Sequence, residues 1–302
     1  MLAVQFHRFG SPDVLEIGEA PDPHPGPGQV RIKVKAAGVS PVDLALRAGT
    51  SPAGAHLALP HIPGVDAAGI VDEIGVGATV GIGDEVFGVV PLAGLGGATA
   101  EYAVLDFWAR KPGGMPWTEA GGAGTGVETA TRALDVLDVR EGMTLLVDGA
   151  AGGVGGIVVQ LAAARGVRVL GAARPESHPF LESLGVRAVT LQRVDGTVDR
   201  ALDVAGAGSL DRLIELTGGA ENVVTLADFE GPSKGVRISM GRLAGEPDGR
   251  HGLAVAAALV EKGLFRVPVR EVVPARDAAA AHELAARSPR QGKVIVDLVH
   301  LS

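Results

Sequence analysis

Residues 29–39, QVRIKVKAAGV, open on a strict alternation. Val30, Ile32 and Val34 fall on one face, and Arg31, Lys33 and Lys35 on the other. That is the period of a strand with one buried face. MLAVQF at the start of the chain predicts another strand. Between them, PDPHPGPGQ (21–29) is proline-laden and predicts a surface turn. SPVDLALRAG then predicts a short helix, with Ser40 as N-cap, Pro41 in the first position and Asp43 in the first turn. Asp43 and Arg47 sit one turn apart and suit a helix ion pair. From Gly64 to Val90 short apolar runs are broken by glycines: AAGIVDEIG, then VGIGDEVFGVV. Together these predict an irregular β-barrel with glycine-rich corners.

From about Thr118 the period changes. ETATRALDVLDVR is helical, with Ala130, Leu134 and Leu137 on one stripe. Strands and helices then alternate: TLLVD, GGVGGIVVQLAAAR, VRVLGAA, HPFLESLG, AVTL, RALDVA, SLDRLIELTG, NVVTL. This order predicts an α/β domain with a doubly wound parallel sheet. Near Gly245 the pattern shifts again. A helix at 252–262, a strand at 265–272, a helix at 277–287 and a strand at 294–299 predict a tail that returns to the first domain. The division expected is residues 1–115 plus 246–302, and residues 116–245.

Composition narrows the chemistry. The chain has 302 residues, enough for two domains. It contains no cysteine, which excludes disulfides, zinc-thiolate sites, iron-sulfur clusters and thiol nucleophiles. A net charge of −8 without a basic stripe argues against nucleic acid or anionic membranes as partners. The first residues carry no apolar signal core, and no apolar run approaches a membrane span. A cytoplasmic protein is expected.

The strongest local signal is VDGAAGGVGGIVVQLAAARGVRVLGAARPES, residues 147–177. Residues 150–155 read Ala-Ala-Gly-Gly-Val-Gly, a dinucleotide fingerprint with Ala150 in place of its first glycine. Gly152 allows the backbone to approach a pyrophosphate, and Gly155 allows the helix to pack on the strand. A helix running from about Gly152 would offer its free N–H groups, Gly153 and Val154 among them, to the phosphates. The alternative is an ordinary strand-to-helix turn. The flanking strand and helix, and the second strand beyond, favour the cofactor. That second strand ends Gly171-Ala172-Ala173-Arg174, with no acid until Glu176. An NAD site usually ends there on an acid, and an NADP site offers arginine instead. NADPH is therefore expected, with Arg174 on the 2′-phosphate and Ser177 and His178 adding hydrogen bonds. The alternative leaves Arg174 as a solvated surface arginine.

HIPGVDAAGIVDEIG (61–75), GDEVFGVV (83–90), AEYAV (100–104), DGAAGGVGGIVVQLAAARG (148–166), LDVAG (202–206) and GKVIV (292–296), in this order and spacing, resemble the medium-chain dehydrogenase/reductase superfamily. The similarity is to its zinc-free NADPH:quinone oxidoreductase branch. It implies a GroES-like irregular β-barrel domain and a Rossmann domain. Zinc-dependent relatives carry Gly-Val-Cys-x-x-Asp and Pro-Gly-His-Glu. Here the cysteine position is Ser40 and the histidine position is Val65. Catalytic zinc of that type is not expected, and Lewis-acid alcohol oxidation is disfavoured. The resemblance implies hydride transfer from NADPH to a quinone or related α,β-unsaturated carbonyl. Other readings are an enoyl-thioester or alkenal reductase of secondary metabolism, and an NADPH-binding crystallin-like or regulatory protein with little catalysis.

The resemblance also assigns residues. Pro41, Asp43, Arg47 and Gly49 keep the branch's motif, with Ser40 where asparagine is frequent. The tyrosine that follows this glycine in many members is absent; Thr50, Ser51 and Pro52 stand there. The one tyrosine, Tyr102, lies in the AEYAV strand and suits a structural role. No side-chain acid is assigned, since water can protonate a hydroquinone anion. Ser40, Thr50 and Thr129 are the catalytic candidates. Thr125 and Thr129 are expected beside the nicotinamide; the alternative for Thr129 is a bond to its own helix backbone. Phe229, in LADFEGPSKG, marks residues 228–235 as a cofactor loop or a surface turn. His56 and His61 are expected to be surface histidines rather than ligands. A homodimer is implied, joined near residues 236–241.

Overall fold

The computed structural model describes every residue except 52, 53, 55, 56, 92, 93, 95, 242–244, 288–290, 300 and 302. The chain forms two units. One comprises Met1–Thr125, Leu253–Glu261 and Val269–Ser302; the other comprises Gly126–Gly252 and Lys262–Pro268.

The first unit begins with an antiparallel pair, β1 (Leu2–Gln5) and β2 (Glu16–Glu19). Its main strands are β3 (Val30–Val39), β4 (Asp66–Ile74), β5 (Glu85–Val89), β6 (Tyr102–Leu105) and β7 (Phe107–Arg110). Two helices, α1 (Pro41–Ala48) and α2 (Trp117–Ala120), accompany them. Along β3 the alternation holds at first: Val30, Ile32 and Val34 are buried, Lys33 is exposed, and Arg31 and Lys35 are half-buried. From Ala36 to Val39 every residue is buried, because the second face is covered too. A Cβ on Gly38 would stand 2.9 Å from the Gly121 carbonyl oxygen, so the segment after α2 lies directly on this stretch. β3 pairs with β4 along most of its length and with β6 along its first residues, Val30 to Lys33.

The second unit holds β8 (Thr144–Asp148), β9 (Arg168–Ala172), β10 (Arg187–Val189), β11 (Arg200–Asp203), β12 (Val223–Thr225) and β13 (Arg237–Ile238). They form one six-stranded sheet in the order β10-β9-β8-β11-β12-β13, parallel at every pairing. Counted from β8 this is the 3-2-1-4-5-6 order of a doubly wound dinucleotide fold. Helix α3 (Gly124–Val136) precedes the sheet, and α4 (Gly155–Ala164), α5 (His178–Glu182) and α6 (Leu210–Thr217) alternate with its strands. α4 is buried from Gly155 through Ala162, which its apolar sequence GGIVVQLA requires.

The last part supplies α7 (Gly252–Glu261), β14 (Val269–Pro274), α8 (Ala278–Ala286) and β15 (Lys293–Asp297). β15 pairs antiparallel with β3, and β14 parallel with β15. Together with β3, β4, β5, β6 and β7 they complete the seven-stranded sheet of the first unit. The strand expected from residue 265 begins only at Val269. The cause is a side chain. Gln160 of α4 accepts the Arg266 N–H at 3.1 Å and donates to the Arg266 carbonyl at 3.0 Å, so both ladder groups of that residue are already engaged. No helix of the described residues is long and apolar enough to cross a membrane.

Candidate functional site

The glycine turn forms where the sequence puts it, with its own geometry. Gly149, directly after β8, has φ +81°, and a Cβ there would stand 2.9 Å from the Ala205 nitrogen. Gly149 thus makes the sharp turn that the fingerprint assigns to its first glycine, and Ala150 is left fully buried in an ordinary conformation. The Gly152 N–H donates to the Gly149 carbonyl at 3.0 Å. That bond closes a tight turn over 149–152, so α4 starts at Gly155 rather than at Gly152. A Cβ on Gly155 would lie 2.2 Å from the Gly149 oxygen. The first helical bonds run from Gly156 to Gly152 and from Val158 to Val154, placing the amides of Gly153, Val154 and Gly155 ahead of them. This is a backbone cradle at a helix start, and it fits a dinucleotide pyrophosphate.

The cradle stands at the switch point of the sheet. Asp148 and Asp203 occupy the same register at the ends of β8 and β11. Burial pushes the Asp148 carboxyl up from its ordinary range, and the Asp203 charge adds to this. Asp203 is fully buried; it accepts the amides of Ala205 and Gly206 at 2.9 Å each and the Thr225 hydroxyl at 2.7 Å. Thr225 Oγ1 in turn accepts the amides of Ala227 and Asp228. This chain of bonds fixes the start of the 228–235 segment, where Phe229 is 73% exposed.

β9 ends in register with Asp148, which brings the 173–178 segment to the same sheet edge. Arg174 is exposed, and its Nε stands 3.5 Å from Glu176 Oε1. Ser177 is buried, and its amide donates to the Arg174 carbonyl at 2.9 Å. His178 Nε2 faces the Ala173 carbonyl at 3.2 Å. Of these three, Arg174 presents the most accessible charge.

In the first unit, Ser40 caps α1 and is buried. Its hydroxyl donates to Asp66 Oδ2 at 3.0 Å, at the start of β4. Lys293, the first residue of β15, donates to Ser40 Oγ at 2.7 Å and to Asp66 Oδ2 at 2.9 Å. Lys293 is 5% exposed and Asp66 0%. Asp66 Oδ1 accepts the Thr125 amide, while the Thr125 hydroxyl is buried and takes no partner among the described residues. Asp43 accepts the amides of Ser40 at 2.8 Å and Gly64 at 3.0 Å. Burial pushes its carboxyl up to about 7, with the charge of Asp66 adding to the effect. Among the described residues, no group of three histidine, aspartate or glutamate side chains is placed to hold a metal ion.

Several sequence expectations change here. Asp43 and Arg47 do not pair: both Asp43 oxygens are held by backbone amides, and Arg47 is buried with Nε and Nη1 unpartnered among the described residues. His61 is buried, not on the surface; its backbone bonds Phe6 in both directions at 3.0 Å and its ring meets the Phe6 ring edge-on at 5.5 Å. His56 and Pro52 lie outside the described residues. Thr50 is exposed, and its hydroxyl donates to the Ala45 carbonyl at 3.3 Å, finishing α1 after Gly49. Thr129 Oγ1 donates to Glu128 Oε2 at 3.1 Å instead of to its own backbone. That carboxylate belongs to a buried network in which Glu128 pairs with Arg132, and Arg132 reaches Ser239 and Glu246. Tyr102 lies under the Arg31 guanidinium at 5.0 Å, a structural contact.

Two participants escaped sequence reasoning. Lys293 stands in the GKVIV stretch, where a lysine before an apolar run reads as a solvated strand end. Gly149 precedes the fingerprint and is one glycine among many.

Comparison with known proteins agrees with this architecture. The alcohol dehydrogenase GroES-like domain family matches residues 26–112, and the zinc-binding dehydrogenase family matches 181–296. A quinone oxidoreductase of Sus scrofa is 32% identical over 94% of this chain and 93% of its own. The NADPH-dependent alkenal/one oxidoreductase of Arabidopsis thaliana chloroplasts is 33% identical over 54% of this chain and 44% of its own. The structure of the quinone oxidoreductase from Coxiella burnetii matches with a TM-score of 0.84 at 27% identity, covering 99% of each chain. The barrel unit, the parallel sheet with its glycine cradle, and a relative matched nearly end to end together make this chain an oxidoreductase of the medium-chain dehydrogenase/reductase superfamily, in its quinone oxidoreductase-like group, a family that works with a nicotinamide cofactor.

Proposed function

We propose that the protein is a zinc-independent, NADPH-dependent reductase that delivers hydride to a quinone or a related α,β-unsaturated carbonyl. The observation that carries it is the Lys293 ammonium, held at 2.7 Å from Ser40 and 2.9 Å from Asp66. The resemblance puts Ser40 in the place of a zinc-binding cysteine. An internal cation beside that position takes over the charge compensation of Asp66 that a metal would otherwise give. Neither Ser40 nor Val65 is a zinc ligand of the kind such sites use.

NADPH, when bound, supplies the hydride. The amides of Gly153, Val154 and Gly155 bind its pyrophosphate, and Arg174 binds the 2′-phosphate. The missing acid at the end of β9 supports this preference, as does the likeness to an NADPH-dependent relative. The unpartnered Thr125 hydroxyl is free to bond the nicotinamide, and Thr129 stands one turn further along α3. Phe229 covers the cofactor from the 228–235 loop. Ser40 faces the acceptor, and Thr50 borders it.

Steady-state turnover with NADPH and NADH against a panel of quinones and enones tests the proposal. Rapid NADPH oxidation with a quinone, unaffected by chelators and without bound zinc by metal analysis, is expected. Tight NADPH binding with no acceptor turned over would instead favour a cofactor-binding protein without catalysis. A second acceptor class is favoured by the alkenal/one relative; stereospecific saturation of a C=C bond, rather than hydroquinone formation, would identify it. We also propose a homodimer joined at residues 236–241. In support, β13 is a two-residue strand at the edge of the sheet. Sedimentation equilibrium checks this.

A further inference from the structure

Ser40, Asp66 and Lys293 meet out of water. The hydrogen bonds have a direction. An ammonium only donates, so Lys293 gives protons to both Ser40 Oγ and Asp66 Oδ2. The Ser40 hydroxyl therefore accepts from Lys293 and gives its single proton to Asp66. Asp66 does not depend on that proton: it keeps the Lys293 ammonium on one oxygen and the Thr125 amide on the other. Ser40 also stands at the N-terminus of α1, where the helix favours negative charge. The hydroxyl can thus turn to another acceptor, with a cation directly behind it.

We propose that Lys293, acting through Ser40, supplies the proton that neutralises the oxyanion of the reduced acceptor. This rests on the reductase function proposed above. Hydride adds to the acceptor and an electron pair moves onto its carbonyl oxygen. The Ser40 O–H bond breaks as the new O–H bond of the product forms. A Lys293 N–H bond breaks as the Ser40 hydroxyl re-forms. Once the product leaves, the neutral amine beside Asp66 regains a proton through Ser40, from water that enters in the product's place. Ser40 touches the reacting oxygen; Lys293 is a positioning residue that acts behind it. The relay matters little for a hydroquinone anion, a weak base that water protonates. It matters much for an enolate, whose less stabilised charge builds up as the hydride adds, so that a proton donor at the oxygen lowers the barrier.

The test compares wild type, Lys293→Met, Lys293→Arg and the charge-balanced Lys293→Met/Asp66→Asn variant, which leaves no unpaired buried carboxylate. Turnover is measured with a quinone and with an enone. The relay predicts that Lys293→Met and the double variant lose about 100-fold on the enone, at least tenfold more than on the quinone. A second readout needs no cofactor: titration of the apo-protein with 4-nitrophenol, followed by its phenolate absorbance. Wild type and Lys293→Arg are expected to bind the phenolate, and Lys293→Met to bind it at least tenfold more weakly. Arginine keeps the charge but does not release a proton, so Lys293→Arg stays slow on the enone. Equal losses on both acceptors, full enone activity in Lys293→Arg, or unchanged phenolate binding in Lys293→Met would each overturn the relay. A wild type that reduces neither acceptor would overturn the reductase function itself.

Discussion

A Cβ atom on Gly155 would stand 2.2 Å from the carbonyl oxygen of Gly149. That oxygen belongs to the backbone, and Gly149 is itself held against Ala205. Nothing flexible can give way. Gly155→Ala is expected to lower stability by about 1–3 kcal/mol and to abolish dinucleotide binding. Gly152→Ala is expected to differ. Its Cβ would meet the same oxygen at 3.3 Å, a distance that small shifts relieve. That variant should fold near normally and bind NADPH weakly. Denaturation midpoints and quenching titrations measure the two effects separately.

Among the described residues Arg174 pairs with Glu176, at 3.5 Å, and its side chain is otherwise exposed. Arg174→Ala should therefore leave the fold intact. If Arg174 binds the 2′-phosphate, the lost charge-assisted bond, ~1.5–3 kcal/mol, raises the Kd of NADPH about tenfold to a hundredfold. NADH binding should hardly change. Equal weakening of both cofactors would remove Arg174 from the phosphate site.

His282 of α8 is buried, and burial together with the nearby Arg47 charge lowers its pKa to about 4. The unfolded chain then binds the extra proton at a higher pH than the folded one. Stability should fall as pH drops from about 6.5 to about 4, by about 3 kcal/mol in full. Asp43, raised to about 7, has the opposite slope, since its folded form holds a proton that the unfolded chain has released. The two overlap, so the useful measurement is a difference. In urea unfolding across this range, wild type should lose stability relative to His282→Phe as the pH drops toward 4, because the variant has no group there to protonate. Parallel curves would show that His282 does not titrate with folding.

Arg132 lies between Glu128, at 2.9 Å, and Glu246, at 3.7 Å, and all three are buried. Arg132→Met leaves Glu128 without its cation, although Glu246 retains Arg237. A loss of about 3–5 kcal/mol is expected. Removing both members in Arg132→Met/Glu128→Leu should recover most of it. The unfolding free energies of the single and double variants decide. If the double variant is no better than the single, packing rather than charge dominates there.

Much of the fold was legible because its signals are local. Alternation along β3, the glycine turn after β8 and the missing acid after β9 each lie within a dozen neighbouring positions. Periodicity and turn chemistry act over such distances. The expected strand from residue 265 failed for the opposite reason. Gln160, distant in sequence, takes both backbone groups of Arg266, and no local pattern records that.

The sequence by itself determined the two kinds of architecture, the dinucleotide cradle and the loss of the zinc-binding cysteine and histidine positions. These depend on residue identity and short spacing. Tertiary structure alone decided what stands beside Ser40. Lys293 reaches Ser40 across 253 positions because β15 pairs with β3, placing Val294 opposite Val39. The same packing denied Arg47 its helix partner, since the amides of Ser40 and Gly64 hold Asp43 first. Such pairings follow from strand register and burial, which bring together groups that the linear order keeps apart.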